Sequence, residues 1–438
     1  MSETLNSLIL RSGAWDGDDE IALPVPATWH IDDLCVRPIP EGAVPSLRAA
    51  LRSPIGTAPL QDLARGKKEI AVIVDDLTRP TPASAILPDL LDELAGGGIT
   101  DSQISLFVST GSHAPPTPDD IRNKVGPALS RFRRVVVHDC HGPCRDLGST
   151  RRGTPVHVNA RLMECDLKIG IGSVFPHPAA GFSGGPKIIA PGMCGATTIR
   201  FMHDHLRGAR SRGGSLAHAF REEMTEVSAR VGLTFSVSCI LSSARTIAGC
   251  VAGAPDAALA EAVRISTPFS RVRIPAFPDL VVIDAYPFDS TLQFAHDRAV
   301  WPVPLFPPDI PVVLIARCAR GKGTHEFFPA ANPFGERVLR RIRQARLSDV
   351  MRTREIVHNA WTLMQERRRE IILFSPHVSQ KDVAMVFPRH ALCSSWSEVC
   401  ALTEKRLPRS AIHVSLFRTS PLLLGPEDQR NSSAKVNR

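Results

Sequence analysis

Short apolar runs alternate with amphipathic stretches through the first half of the chain. The runs are almost continuously apolar, a pattern typical of strands covered on both faces of a parallel sheet. The stretch 82–98 between the first two runs begins with proline and ends in glycines, which predicts a helix. This alternation predicts an α/β domain. Its predicted strands are residues 69–76, 103–110, 134–140 and 166–174.

A Pro-rich stretch at 266–279 interrupts the pattern and predicts a linker. A second, smaller α/β unit with a long basic helix at 334–351 is expected after it. We therefore predict an α/β protein of two domains with mainly parallel sheets and a cofactor and substrate cleft between them. The predicted domains are 1–270 and 271–417, with a flexible tail at 418–438. The second unit's predicted strands are residues 280–286, 312–318, 370–376 and 411–417.

Composition and charge exclude several classes of protein. No apolar run approaches the roughly 18 residues that span a bilayer, and the N-terminus lacks the pattern of a signal peptide, so we expect a cytoplasmic protein with no membrane partner. The ten cysteines follow no framework, which favours reduced thiols. The net charge of +8 is dispersed and the chain has a single tyrosine, so we expect small anions rather than nucleic acid as ligands.

Chemically versatile side chains follow three of the predicted strands. The first strand runs into DDLTRP (75–80), the second into STGSH (109–113), and the fourth into FPH (175–177). Each segment has a simpler interpretation, since DDLTRP resembles a helix start and TGSH a solvated turn. Because ligands bind beyond the carboxyl ends of parallel strands, we nevertheless expect these segments to meet at one rim and form a site.

The third segment continues into a glycine-rich loop, GFSGGPK (181–187). It is not a nucleotide-binding P-loop, because proline precedes Lys187 and isoleucine follows it. Its glycines could let a flat ligand approach the backbone. In the helix predicted at 195–207, His203 shares the apolar stripe and His205 does not. His203 is either a hydrogen-bonded core residue or a metal ligand, since imidazole suits nickel, copper and zinc.

Four motifs together resemble the lactate racemase family, whose members use a nickel-pincer nucleotide. They are DDLTRP, STGSH, PHPAAGFSGGPKIIAPG and a histidine sixteen residues after Lys187, and the resemblance extends over most of residues 20–415.

The resemblance implies a cofactor and roles for individual residues. The cofactor would be nickel in pyridinium-3,5-bisthiocarboxylic acid mononucleotide, joined to Lys187, with His203 as a metal ligand. His113 and His177 would be the catalytic acid–base pair, exchanging the hydroxyl proton while hydride passes to the cofactor and back. The nucleotide would be held by the segment Asp76, Leu77, Thr78 and Arg79, and Arg79 would also polarise the substrate.

The second domain departs from the family in the stretch DAYPFDSTLQFAHDRAVW. Gln293 matches a family glutamine, but Leu292 replaces a tyrosine and His296 replaces a lysine. Gln293 and His296 are expected to share a helix face and bind substrate. Trp361 matches a tryptophan that closes the pocket, although core packing explains it equally well.

These inferences predict an isomerase, namely a racemase or epimerase of a 2-hydroxy acid that need not be lactate. Two alternatives stay open: a sugar or sugar-acid epimerase or oxidoreductase with the same cofactor, and a non-catalytic cofactor-binding protein. The expected partners are the small-molecule substrate and the enzymes that make the cofactor. A homodimer is left open.

Overall fold

The computed structural model describes residues 7–205, 214–274, 278–323, 369–387 and 389–426. Its strands are β1 Ser7–Ser12, β2 Asp19–Pro24, β3 Trp29–Leu34, β4 Ile70–Asp75, β5 Ile104–Ser109, β6 Arg134–Val137, β7 Cys144–Ser149, β8 Pro155–Asn159, β9 Leu167–Val174, β10 Pro176–His177, β11 Gly181–Phe182, β12 Phe235–Leu241, β13 Ile247–Gly253, β14 Leu280–Asp284, β15 Val312–Ile315, β16 Ile372–Phe374, β17 Ala391–Cys393 and β18 Ile412–Phe417. Its helices are α1 Leu47–Arg52, α2 Leu60–Ala64, α3 Leu87–Gly96, α4 Pro118–Val125, α5 Ala196–His205, α6 Ala219–Val231, α7 Pro255–Ser270, α8 Leu292–Ala299, α9 Gln380–Val386 and α10 Trp396–Arg406.

The first six-stranded sheet has the order β13-β12-β9-β4-β5-β6. All neighbours are parallel except β12 and β13, which are antiparallel. Side chains of the central strand β4 point alternately into two cores. Ile70, Val72 and Val74 pack with α1, α2 and α3, whereas Ala71 and Ile73 pack with α5 and α6. Burial on both faces explains the continuously apolar strands.

The second sheet has the order β17-β16-β15-β14-β18-β3, and every neighbouring pair is parallel. Its central strand β14 also contributes to two cores. Val281 and Ile283 pack with α8, and Leu280 and Val282 pack with α10. The predicted fold class, α/β with mainly parallel sheets, is therefore confirmed.

Three expectations about boundaries need correction. Strand β3, from the predicted N-terminal domain, pairs with β18 in the second sheet. The predicted linker begins too early, because α7 continues to Ser270 with Pro268 inside it, and the Thr267 and Ser270 hydroxyls donate to carbonyls of the preceding turn. Residues 418–426 are not a flexible tail, since the side chains of residues 422–424 are buried. The predicted helix 334–351 and residues 427–438 lie outside the described residues.

Candidate functional site

The carboxyl ends of β4, β5 and β9 lie side by side and bring the three predicted segments to one rim. Direct contacts join the segments. The Ser109 hydroxyl donates to the carbonyl of Ile188 at 2.9 Å, and the amide of Gly111 donates to the carbonyl of Gly192 at 2.9 Å. The loop after β9 is thus fastened to the end of β5 by hydrogen bonds.

His113 and the buried carboxylate of Asp76 form a pair at this rim. Nδ1 of His113 lies 2.7 Å from Oδ2 of Asp76. The other carboxylate oxygen, Oδ1, accepts hydrogen bonds from the amide and hydroxyl of Thr78, and the Thr78 hydroxyl also lies 3.1 Å from Nδ1 of His113. Both oxygens of Asp76 therefore already have partners within the protein.

The pair determines which nitrogen of His113 carries the proton. A carboxylate only accepts, so Nδ1 must donate, and the neutral ring then has its lone pair on Nε2. Burial lowers the pKa of His113 below its ordinary value, and the charge and hydrogen bond of Asp76 oppose that shift. Burial acts against ionisation of Asp76, but His113 and Arg79 hold the pKa of that carboxyl well below its usual range. His113 is thus oriented like the histidine of a catalytic triad.

His177 has the opposite tautomer. It lies in the hairpin of β10 and β11, paired with Gly181. Its Nδ1 accepts hydrogen bonds from the amides of Ala179 and Ala180, both at 3.2 Å. Because Nδ1 accepts, the proton of the neutral ring must be on Nε2. Burial lowers the pKa of His177 well below its ordinary value, and Arg298, Lys187 and Arg79 lower it further. His177 is therefore a neutral donor through Nε2–H.

Lys187 lies on the short 3-10 helix Gly185–Ile188 that follows the hairpin. Burial lowers the pKa of its amine well below the ordinary value, and the neighbouring guanidinium groups of Arg79, Arg298 and Arg221 add to that shift. An uncharged amine is a nucleophile, whereas an ammonium ion is not. Lys187 therefore has the electrostatic environment of a reactive lysine.

Two of the glycines near Lys187 are required by chain packing, and close approach of a flat ligand stays a prediction. A Cβ at Gly181 would lie 1.7 Å from the carbonyl oxygen of Ser215. A Cβ at Gly185 would lie 2.9 Å from the carbonyl oxygen of Pro255, at the start of α7. Both glycines have positive φ. Both positions require glycine because a backbone oxygen occupies the space where a Cβ would lie and because φ is positive.

His203 is half-buried on α5, as its place on the apolar stripe predicts. Its Nδ1 lies 3.0 Å from the carbonyl of Ile199, so Nδ1 donates and the neutral ring has its lone pair on Nε2. Its ring meets Phe220 edge-on, with ring centres 5.9 Å apart. Phe220 precedes Arg221, one of the charges that act on Lys187. His203 and Lys187 are thus both close to the start of α6.

Lys124 on α4 is a buried cation at the rim that the sequence patterns did not indicate. Its buried Nζ lies 2.6 Å from Oδ1 of Asp75 and donates to the carbonyls of Asp76 and Arg79 at 3.1 Å. The other oxygen of Asp75 accepts from the hydroxyl of Thr81 at 2.6 Å. Lys124 thus binds both sides of the turn after β4. Two acidic residues at the end of a buried strand were a signal that a cation must be near.

Helix α8, which packs on the second sheet, also contacts the rim. Phe294 meets His113 edge-on at 5.4 Å between ring centres, and the Arg79 guanidinium lies 5.8 Å from the Phe294 ring centre. His296 instead stacks on Phe387, with ring centres 3.8 Å apart. The rim therefore faces α8 through Phe294, a residue that the sequence analysis did not select.

Three of the predicted residues remain, namely Leu77, Gln293 and Trp361. Leu77 is buried in the turn after β4. Gln293 is half-buried, and its backbone N–H donates to the carbonyl of Lys322 at 3.1 Å. Trp361 lies outside the described residues. No group of three or more His, Cys, Asp or Glu in the described part of the chain is placed to hold a metal ion.

No helix among the residues that the model describes is long and apolar enough to cross a membrane.

Comparisons with known protein sequences find similarity to lactate racemases. The lactate racemase N-terminal domain model matches residues 17–214. Lactate racemase of Thermoanaerobacterium thermosaccharolyticum is 29% identical over 290 residues, 64% of this chain and 67% of that protein. Lactate racemase of Lactiplantibacillus plantarum is 32% identical over 218 residues, 49% of this chain and 51% of that protein, so this alignment spans about half of that relative.

Two solved structures share the fold. The lactate racemase apoprotein from Thermoanaerobacterium thermosaccharolyticum has a TM-score of 0.69 at 22% identity, covering 96% of this chain and 100% of that one. A Thermotoga maritima protein has a TM-score of 0.56 at 13% identity, covering 82% of this chain and 93% of that one. At these identities the structures support the fold alone.

Proposed function

We propose that this protein is a racemase or epimerase of a 2-hydroxy acid. Residues 17–214 match the lactate racemase N-terminal domain, and two lactate racemases are 29% and 32% identical to this chain, which agrees with the resemblance seen in the motifs. The observation that carries the proposal is the pair of rim histidines with opposite tautomers. His113 has its lone pair on Nε2, and His177 has its proton there. Inverting a hydroxyl-bearing carbon needs one group to accept the hydroxyl proton and another to bind the oxygen.

In this proposal the two histidines have different tasks. His113 accepts the hydroxyl proton at Nε2, and Asp76 stabilises the resulting imidazolium through Nδ1–H. His177 donates from Nε2–H to the substrate oxygen. To act as a base in the reverse direction, His177 must move its proton to Nδ1, which requires the Ala179 and Ala180 amides to release that nitrogen. The hairpin therefore controls when His177 can take a proton.

The residues present fit the nickel-pincer nucleotide that the family resemblance implies. The amine of Lys187, whose pKa is lowered by burial, could form the bond to the nucleotide, and Nε2 of His203 could bind nickel. The resemblance implies that the nucleotide would supply the other nickel ligands. When bound, the group supplies the acceptor for the substrate hydride. Arg79, beside the rim, would polarise the substrate oxygen.

The test is a mass measurement on intact protein made with and without nickel and the cofactor-making enzymes. We expect the wild type to carry the added mass of the nucleotide and its nickel. Lys187→Arg should carry no added mass, and His203→Gln should carry the nucleotide without the nickel. Loaded protein is then screened for loss of optical purity in chiral 2-hydroxy acids and aldonates. An unmodified Lys187 together with no inversion of any acid would contradict the proposal.

Lactate is one candidate substrate, and the screen includes sugar acids because α8 lacks the family's tyrosine and lysine. Activity on aldonates alone would favour the sugar-acid epimerase. Net formation of keto acid would favour the oxidoreductase. An added mass on Lys187 without any turnover would favour the non-catalytic cofactor-binding protein. The cytoplasmic location, the dependence on cofactor-making enzymes and a homodimer remain predictions.

A further inference from the structure

Helix α8 presents one face to the rim, and Phe294 marks that face. Its ring contacts His113 edge-on at 5.4 Å and lies under the guanidinium of Arg79 at 5.8 Å. The helix begins at Leu292, and the Thr291 hydroxyl caps it by accepting from the amide of Phe294. The start of the helix and the direction of Phe294 are therefore well defined.

The helical repeat places Arg298 on the same face as Phe294. Residues four apart on a helix lie one above the other, so Arg298 follows Phe294 along the rim. Its side chain is only 8% exposed, and its Nε lies 3.6 Å from Oδ2 of Asp297. His296, two residues from Phe294, points about 200° away around the helix and stacks on Phe387 instead.

The charge of Arg298 lowers the pKa of the two titratable groups in the loop after β9, His177 and Lys187. After burial, it is the largest influence that lowers the pKa of His177. It also contributes to the lowered pKa of Lys187. Together with the position of Arg298 one turn after Phe294, whose ring contacts His113, these effects put the charge of Arg298 on the side of the rim that α8 covers.

From this arrangement we infer that Arg298 binds the carboxylate of the substrate and that His296 does not. The inference rests on the proposed function, and it assigns to Arg298 the contact that the sequence analysis gave to His296. A guanidinium can hold both oxygens of a carboxylate, which fixes the plane of the acid. With the carboxylate on Arg298 and the hydroxyl near His177 and His113, the carbon between them lies between α8 and the loop after β9.

The test compares Arg298→Gln and Arg298→Lys with His296→Gln as the matched control on the same helix. In steady-state kinetics of cofactor-loaded protein, we expect Arg298→Gln to raise KM about 10- to 100-fold with little change in kcat, since a charge-assisted hydrogen bond is lost. Arg298→Lys should recover part of the affinity, and His296→Gln should keep the wild-type KM. Unchanged KM in Arg298→Gln, or a KM increase confined to His296→Gln, would overturn the inference.

Two further readouts separate this inference from the proposed function. The mass added on Lys187 should be the same in Arg298→Gln as in the wild type, and loss of that mass would assign Arg298 to the cofactor instead. Glycolate, the smallest 2-hydroxy acid, is titrated into the protein and its binding followed by NMR line broadening. If the wild type inverts no acid, the proposed function fails. The inference about Arg298 is then decided by glycolate affinity, which should be weaker in Arg298→Gln than in the wild type. A wild type that does not bind glycolate also overturns it.

Discussion

Replacing Asp76 with asparagine tests the roles of the two histidines. Oδ1 of Asp76 accepts from the amide and hydroxyl of Thr78, so an asparagine would place its oxygen there. Its NH2 group would then occupy the position of Oδ2, 2.7 Å from Nδ1 of His113. A donor in that place forces Nδ1 to accept, which moves the proton of the neutral ring to Nε2. His113 would then present a proton to the substrate instead of a lone pair.

The expected loss is large because the variant changes both the tautomer and the charge. The same change in a Ser-His-Asp triad lowers kcat about 10⁴-fold. We expect a fall of about 10³- to 10⁴-fold for Asp76→Asn, which corresponds to roughly 4–5.5 kcal/mol of transition-state stabilisation. The mass added on Lys187 is measured in the same variant, because the segment 76–79 is also predicted to hold the nucleotide, and an unchanged mass assigns the loss of activity to His113.

The dependence of kcat/KM on pH tests how the charge of Asp76 affects the pKa of His113. As a general base His113 must be neutral, so kcat/KM falls as pH drops through its pKa. Burial lowers this pKa below its ordinary value in the wild type, and Asp76 opposes that shift. Removing the carboxylate charge lowers it further, so the residual activity of Asp76→Asn should persist to lower pH than that of the wild type.

The tautomer can also be measured without turnover. In protein with ¹⁵N-labelled histidine, His113 should show a protonated Nδ1 in the wild type and a protonated Nε2 in Asp76→Asn, with His113→Gln identifying its signals. His177 should keep a protonated Nε2 in both. The reasoning is refuted if Asp76→Asn retains activity within about tenfold of the wild type, or if the tautomer of His113 does not change.

Two further predictions concern stability. Lys124→Met leaves the carboxylate of Asp75 buried without its cation and should lower the free energy of unfolding in urea by about 3–5 kcal/mol. Adding Asp75→Asn should cost less than the sum of the single changes, and strict additivity would show that the pair is not coupled. In Gly181→Ala the new Cβ would lie 1.7 Å from a backbone oxygen, so this variant should lower the free energy of unfolding by about 2–5 kcal/mol. The control is Gly148→Ala, at a position that also has positive φ but where a Cβ would meet no atom within 4 Å. It should lower the free energy of unfolding by only about 1–2 kcal/mol. Equal decreases in the two variants would contradict the steric argument.

The sequence by itself determined the α/β class and the place of the site. Strands buried on both faces must be almost wholly apolar, and β4 and β9 are recognisable for that reason. Polar residues directly after such strands must come to the same edge of the sheet, so Asp76, His113 and His177 could be assigned to one rim before any coordinates. The family resemblance rests on the same segments.

Only the tertiary structure decided how these residues work together. The proton position on His113 depends on a carboxylate 37 residues away. The partner of Asp75 comes from α4, and nothing in the local sequence of Lys124 shows which carboxylate it meets. On α8, apolar residues occur around much of the helix, so periodicity could not tell whether His296 or Arg298 faces the rim. Hydrogen-bond direction and helix rotation depend on which elements pack together in space, and local sequence patterns do not record that packing.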